Sequence, residues 1–329
     1  MRSEAPRAPL PRRDGDWVET PHGPEATRAR RLLGRFHVTG IFWYRLHLWG
    51  VRRMPSWSIG FIIAIFTTFF YLTLRRIRSA LAANLVPVLG PTGFFGRELR
   101  IFRTMWNHAW CNSERFERLA TERRFEIVAE GLEHWRGATE DPERGLVVST
   151  AHLGAWDVSS FLPSLVEGRR VHVVREQEPY AEAQRFVEDL YGEGVQEHFT
   201  LHFSRDNPGL GGALVAALRR GEIVGLQGDR APTGGRTVET EVFGLPFPLP
   251  AGPAALARGA GVPLVPVFCF REGRRRYRLV VRPPVAVAKT DDIRGDLART
   301  MQGLARELEW AIREKPHQWF CFRRVWGAD

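Results

Sequence analysis

The sequence predicts an α/β fold, a mixed and largely parallel sheet flanked by helices, preceded by a membrane-associated helical region at the N-terminus. Three observations carry this expectation. Beyond about residue 125, short apolar runs alternate with longer amphipathic stretches, and strand and helix in alternation build a largely parallel sheet. Upstream, no residue between Met54 and Leu74 is charged. The 329 residues are 44% hydrophobic and 26% charged, long enough for one large domain and too apolar for a disordered chain.

In order, residues 1–27 carry five prolines and several charges with no hydrophobic period. They read as a disordered lead-in, not a secretory signal, because no apolar core follows the early arginines. Residues 28–125 form the helical region. In its GRFHVTGIFWYRLHLWGVRRMP stretch, Trp43, Tyr44 and Trp49 interleave with Arg45, Arg52 and Arg53, which suits an interface where rings sit at headgroup depth and arginines reach phosphates. A helix over Met54–Leu74, rising ~1.5 Å per residue, just matches a hydrocarbon core of ~30 Å. Gly60, Thr67, Thr68 and Thr73 dilute it, so a half-buried helix in one leaflet and an internal helix of a globular domain stay open beside a true span. Arginines flank both ends, and the positive-inside rule sets no orientation.

Residues 126–329 form the α/β domain. GLVVSTA (145–151), RVHVV (170–174), GEIVGLQ (221–227), VPLVPVFCF (262–270) and RYRLVVRPP (276–284) read as strands. Segments near 154–167, 179–191, 209–220, 251–260 and 293–314 read as helices.

The net charge is +10, and only Lys289 and Lys315 among the 47 basic residues are lysines. Such a basic surface favours anionic partners: phospholipid headgroups, nucleic acid or an acidic carrier protein. No nucleic-acid-binding motif is present, and no nucleic acid is expected as a partner. Cys111, Cys269 and Cys321 lack metal-ligand spacing, implying neither a disulfide framework nor zinc and fitting a reducing compartment. A GxSxG elbow and a P-loop are absent, so no metal, nucleotide or other cofactor is expected.

The sharpest local feature is Ser149-Thr150-Ala151-His152-Leu153-Gly154-Ala155-Trp156-Asp157. Among ten histidines, only His152 has an acidic residue five positions on. An apolar strand runs straight into it, which places His152 at the carboxyl end of a strand, where α/β folds put their sites. Five positions along one regular helix would set the two side chains on different faces. His152 therefore belongs in the turn before a helix and Asp157 in its first turns, where a carboxylate can fix the imidazole tautomer and stabilise the imidazolium. A capping histidine with a favourable aspartate near a helix N-terminus is the plainer alternative. Gly228-Asp229-Arg230 follows another strand and lies beside His152 if the two strands are neighbours; otherwise Asp229 and Arg230 make a structural ion pair. The apolar segment Val242–Pro253, with Phe243, Gly244, Pro250 and Gly252, either lines a groove for an apolar chain or packs over the sheet. His198 and His202 form an i, i+4 pair without a helical apolar period and carry no site.

The blocks HLGAWD, GDR after an apolar strand, and VFGLPFPLPAGPAALARGAGVPLVPVF together resemble the lipid A biosynthesis acyltransferase family. That family includes lauroyl- and myristoyltransferases of lipid A assembly and phosphatidylinositol mannoside acyltransferases, within the lysophospholipid acyltransferase superfamily marked by His-x4-Asp/Glu. The similarity runs from about residue 35 to the end and includes RSALAANL (78–85) and EKPHQWFCFRRVW (314–326). The resemblance implies an O-acyltransferase with His152 and Asp157 as catalytic dyad, Asp229 in the site and Arg175 at the family's basic position. Backbone N–H groups around Gly154 and the guanidinium of Arg175 or Arg230 are then candidate oxyanion donors, and Phe243, Gly244, Pro250 and Gly252 line the acyl groove. The donor is acyl carrier protein or acyl-CoA. The acceptor is a glycolipid or phospholipid hydroxyl, the lipid A type favoured, although Arg230 and the PAGPA run lean towards the mannoside type. The resemblance places the catalytic domain on the cytoplasmic face of the inner membrane. Two other readings are an acyl-thioester hydrolase on the same scaffold and a non-catalytic basic membrane-binding protein.

Overall fold

The computed structural model describes residues 41–121, 123–156, 168–176, 199–203, 209–230 and 235–326, with a few further positions between 182 and 207. The lead-in 1–27, residue Asp157 and the helix expected over most of 154–167 lie outside the described residues. Four helices come first: α1 (Ile41–Arg53), α2 (Ile59–Thr73), α3 (Arg75–Leu89) and α4 (Phe94–Ala120). No single helix among the described residues is long and apolar enough to cross a membrane. Helices α2 and α3 reach that length and composition only together, and they meet at a 90° bend.

The strands are β1 (Glu126–Glu130), β2 (Leu146–Thr150), β3 (Val171–Arg175), β4 (Phe199–Phe203), β5 (Ile223–Gln227), β6 (Thr237–Val242), β7 (Leu245–Pro250), β8 (Leu264–Gly273) and β9 (Arg276–Val281). Seven of them form one sheet in the order β1-β9-β8-β2-β5-β3-β4. Every pairing is parallel except that of β8 with β9, so the sheet is mixed and largely parallel as the alternation predicted. Strand β2 is central, with Leu146, Val147 and Val148 almost wholly buried. Burial on both faces is why it reads as a continuous apolar run. Helices α5 (Leu132–Thr139), α6 (Leu210–Arg219), α7 (Gly252–Ala260) and α8 (Ile293–Glu314) flank the sheet. Helix α8 packs Leu304 and Leu308 into a core with Phe268, Phe270 and Trp319.

One segment corrects the sequence reading. A loop is expected over residues 242–253, but β7 pairs with β6 in an antiparallel hairpin. Pro246, Pro248 and Pro250 recur at every second residue, so their missing N–H groups all fall on the outer edge of β7. Phe247 and Leu249 keep the donors that face β6.

Buried polar contacts fasten the helical region to the rest of the domain. Buried Glu114 on α4 accepts from Arg271 Nε and the Arg275 N–H, each at 2.8 Å, and from the Tyr277 hydroxyl. Buried Asn84 on α3 donates to the carbonyls of Cys321 and Arg323 at 3.0 and 2.6 Å and accepts from the Val325 N–H. That one amide joins the RSALAANL block to the EKPHQWFCFRRVW block, and the carboxyl-terminal segment is thereby held across the top of β2.

Candidate active site

Strands β2 and β5 are parallel neighbours with Thr150 opposite Gln227, so their continuations leave the sheet side by side. The Gly228 N–H donates to the Thr150 carbonyl at 2.7 Å. A Cβ on Gly228 would lie 2.3 Å from Ser149 Oγ and 3.2 Å from Leu304 Cδ2, so a larger residue here would have to displace buried side chains at the strand ends. The next residue, Asp229, meets His152, with Nδ1 2.8 Å from Oδ1. Asp229 also accepts a hydrogen bond from the His152 backbone N–H. On the other side of the ring, Arg230 Nη2 lies 2.9 Å from His152 Nε2.

These partners assign the tautomer. A guanidinium only donates, and an ionised carboxylate only accepts. His152 therefore carries its proton on Nδ1, facing Asp229, and its lone pair on Nε2, facing Arg230. Burial, and next the Arg230 charge, push the imidazole below its ordinary pKa, with Asp229 pulling in the opposite direction. Burial by itself would raise the Asp229 carboxyl, but the His152 ring and the Arg230 charge hold it below the usual carboxylate range. At neutral pH the pair is a neutral imidazole against an ionised carboxylate, the state a general base starts from.

The backbone around His152 is fixed from two directions. The Phe320 N–H donates to the His152 carbonyl at 2.8 Å, the Gly154 N–H to the Gln318 carbonyl at 2.9 Å, and the Ala155 N–H to the Cys269 carbonyl at 2.8 Å. Gly154 has φ +58°, and a Cβ there would lie 2.2 Å from the Cys269 oxygen. This corrects the expectation that Gly154 supplies an oxyanion donor: its amide and that of Ala155 are already committed. Gly154 instead makes the tight turn that presents His152. The orienting carboxylate on Nδ1 is Asp229, and the side chain of Asp157 lies outside the described residues.

His152 opens into a cavity of about 680 Å³. Its floor is the sheet, with Val148 and Thr150 of β2, Val173 of β3, and Gly225 and Gln227 of β5. Its walls come from the first helices, including Trp43 and Trp49 of α1 and Ile59, Ile63, Phe66 and Phe70 of α2. Arg175, at the end of β3, and Arg230 lie on its boundary with Arg115 of α4. Such a volume, apolar with a few convergent polar groups, is typical of a ligand site.

The expected groove residues fall elsewhere, a second correction. Phe243 and Gly244, with φ 55° and 70°, form the two-residue turn between β6 and β7, the left-handed pair that suits a tight hairpin. The Phe243 N–H donates to Glu309, and its ring packs against Trp326. Pro250 ends β7 and Gly252 opens α7. None of the four borders the cavity.

Sequence reasoning missed the floor and wall residues. Thr150 Oγ1 is buried with no partner among the described residues, two positions before His152. Its signal was present, a hydroxyl at the last position of the strand that runs into the histidine. The walls carried no such signal, because only tertiary packing turns α1 and α2 towards the sheet. His202, which reads as part of an idle i, i+4 pair, bonds His172 Nδ1 at 2.8 Å across β3 and β4, and His172 Nε2 bonds Glu222 at 2.6 Å. None of these three residues lines the cavity. Among the described residues no cluster of His, Cys, Asp and Glu could hold a metal ion.

Similarity to known proteins runs along most of the chain. A profile described as bacterial lipid A biosynthesis acyltransferase matches residues 30–327. A phosphatidylinositol mannoside acyltransferase of Mycobacterium tuberculosis is 30% identical over 208 residues, 63% of this chain and 62% of that protein. One from Mycolicibacterium smegmatis is 29% identical over 189 residues, 57% of this chain and 59% of that protein. The aligned part thus spans about three-fifths of the length of each relative.

Proposed function

Because the chain belongs to the bacterial lipid A biosynthesis acyltransferase family, we propose that it is a membrane-associated O-acyltransferase with His152 as general base and Asp229 as its orienting carboxylate. The observation that carries the reading is the Asp229–His152–Arg230 chain, in which His152 and Arg230 border an apolar cavity. The acceptor hydroxyl takes the place of Arg230 on His152 Nε2. As its oxygen attacks the thioester carbonyl, the hydroxyl proton passes to Nε2, and the imidazolium is stabilised by Asp229. The C–S bond then breaks, and the proton returns to the departing thiolate, leaving an ester and a free thiol. With the Gly154 amide committed, negative charge on the carbonyl oxygen falls to the displaced Arg230 guanidinium, a donor of the kind that stabilises an oxyanion.

The acyl chain lies in the cavity, and the thioester donor is acyl-CoA or acyl carrier protein, both anionic and suited to the cationic mouth. The acceptor is a glycolipid or phospholipid. The mannoside-type relatives make phosphatidylinositol mannosides the first acceptors to try, ahead of lipid A precursors. To test this, the protein in detergent is given labelled acyl-CoA or acyl carrier protein with lipid A precursors, phosphatidylinositol mannosides and lysophospholipids in turn, and products are read by mass spectrometry. Esterification of one acceptor class is expected. Release of free fatty acid alone, with every acceptor and both donors, would replace transferase by thioester hydrolase.

Helix α2 supports the membrane part of the reading. Its inner face lines the cavity, while Phe61, Ile65, Phe69 and Leu72 are half or more exposed along the other face, and exposed Trp57 sits in the turn just before the helix. A helix apolar all round, with one side largely exposed among the described residues, suits a lipid surface. Exposed Arg52 and Arg53 precede this ridge, and exposed Arg75 and Arg76 follow it. At ~1.5 Å per residue the 15-residue α2 is shorter than a hydrocarbon core of ~30 Å, which fits a helix lying in the interface plane better than one crossing it. We place the chain on the cytoplasmic face of the inner membrane, where its thioester donors are made. Phe61→Glu with Ile65→Glu is expected to lower partition into anionic vesicles by about 100-fold or more, from roughly 1.5–3 kcal/mol per apolar side chain. Unchanged co-sedimentation with vesicles would move the membrane contact elsewhere.

A further inference from the structure

We infer that Gly225 sets the length of the acyl chain the cavity accepts, so that the β5 floor acts as a specificity determinant. The inference rests on the reading of the cavity as an acyl site and adds a residue to which that reading assigns nothing. Gly225 sits in the middle of β5, bonded on one side to β2 and on the other to β3, with Val148 and Val173 as its register partners. Its neighbours along and across the sheet are the branched apolar residues expected of a buried parallel strand. Glycine at such a position weakens a strand and otherwise marks a bulge, a bend or a close approach of backbone or ligand.

A bulge, a strained backbone and a close neighbouring chain are each excluded by the geometry. The register through Gly225 is regular on both sides, so there is no bulge. Its φ lies outside the left-handed region, and a Cβ built there meets nothing within 4 Å except the His172 carbonyl at 3.8 Å. Neither backbone conformation nor a neighbouring chain demands glycine. Side chains alternate across a strand, so the missing side chain faces the same way as Val148 and Val173, which border the cavity with it. Gly225 is therefore a notch between two valines in the cavity floor. It lies two residues, about 7 Å of strand, before Gln227, and the chain reaches Asp229 only two residues later. An acyl chain whose carbonyl is held at His152 and which runs down the cavity crosses this notch, and a side chain there would block its distal methylenes.

The test is a chain-length profile. Wild type, Gly225→Ala and Gly225→Leu are assayed with thioesters from octanoyl to octadecanoyl, on CoA and on acyl carrier protein, and kcat/KM is compared within each protein. Because the readout is a ratio between substrates of one preparation, partial loss of folded Gly225→Leu protein cancels. In Gly225→Leu the ratio of hexadecanoyl to octanoyl turnover is expected to fall roughly 100-fold, the loss of about three or four buried methylenes, with octanoyl turnover largely kept. Gly225→Ala is expected to shift the same ratio by a few-fold. Parental ratios in both variants would overturn the role of Gly225 and leave the acyl site standing. A wild type that turns over no thioester on either carrier would instead remove the acyl-site reading, and this inference with it.

Discussion

His152→Ala is expected to lower kcat by about 10²–10⁴-fold, the range a positioned general base contributes, while the protein keeps its fold. Asp229→Asn is expected to fall in the same range by a different route. An asparagine amide that donates to Nδ1 moves the ring proton to Nε2 and removes the lone pair that accepts the hydroxyl proton. The pH dependence separates this mechanism from simple damage. Activity needs neutral His152, so it rises with pH through the imidazole pKa, which burial and Arg230 hold below its ordinary value. Asp229 pulls that pKa up and Arg230 pulls it down. The acid limb of the kcat/KM profile, which reports the free enzyme, should therefore move to lower pH in Asp229→Asn and to higher pH in Arg230→Gln. Asp157→Asn belongs in the same series. A greater loss there than in Asp229→Asn would hand the orienting role to Asp157, and a His152→Ala enzyme with parental kcat would end the general-base mechanism.

How much of this was legible in the sequence follows from what each signal depends on. Strands β2, β3, β5, β8 and β9 announced themselves as runs of Val, Ile, Leu and Phe, because strands of a covered parallel sheet are buried on both faces. Strand β1 escaped notice because it lies on the sheet edge and alternates exposed with half-buried residues. Strand β7 was hidden by its three prolines, which break a central strand but are harmless on the unpaired edge of a hairpin. His152 was visible because its apolar strand, the following glycine and the acid five positions on are all local. Asp229 was visible only conditionally. Its meeting with His152 requires β2 and β5 to be neighbours, and strand order is a property of the whole sheet that no local pattern encodes.

The cavity illustrates the same limit from the other side. The proline-rich segment with Phe243 suggests a groove because exposed apolar loops often line one, yet it packs against Trp326 and α8. The true walls are α1 and α2, whose aromatic residues read equally well as a lipid-facing surface. Both readings of α2 rest on different faces of one helix: Ile59 and Ile63 face inward and Phe61 and Ile65 outward. Periodicity cannot divide a helix that is apolar all round, so only the packed structure separates the two roles.

Acid should unfold this protein well before its carboxylates are fully protonated. Burial first, and nearby arginines second, push His108 down to about 3 and His47 and His317 to about 4. In the unfolded chain each of these imidazoles titrates near 6.5. Above that pH both states are neutral at these positions and the histidines exert no pH-dependent effect. Below it the unfolded state binds protons that the folded state refuses, so stability falls as the pH drops from about 6.5 towards 4. At ~1.4 kcal/mol per pKa unit His47 and His108 alone would each contribute roughly 3–5 kcal/mol, but both border the cavity, where solvent reduces the effect, and the half-exposed His317 contributes much less because water screens it. A combined loss of roughly 4 kcal/mol between pH 7.5 and 4.5 is the expected result, read as a fall in the urea midpoint. His108→Phe isolates one contributor. The His108 ring stacks on Trp156 with centroids 5.4 Å apart, a packing that a phenyl ring can keep without a proton to bind. That variant should lose about one proton's worth of the pH slope and gain stability relative to wild type at pH 5 but not at pH 8. A urea midpoint that stays flat from pH 7.5 to 4.5 would mean that the cavity admits enough water to solvate these rings, and the apolar character on which the acyl site depends would have to be reconsidered with it.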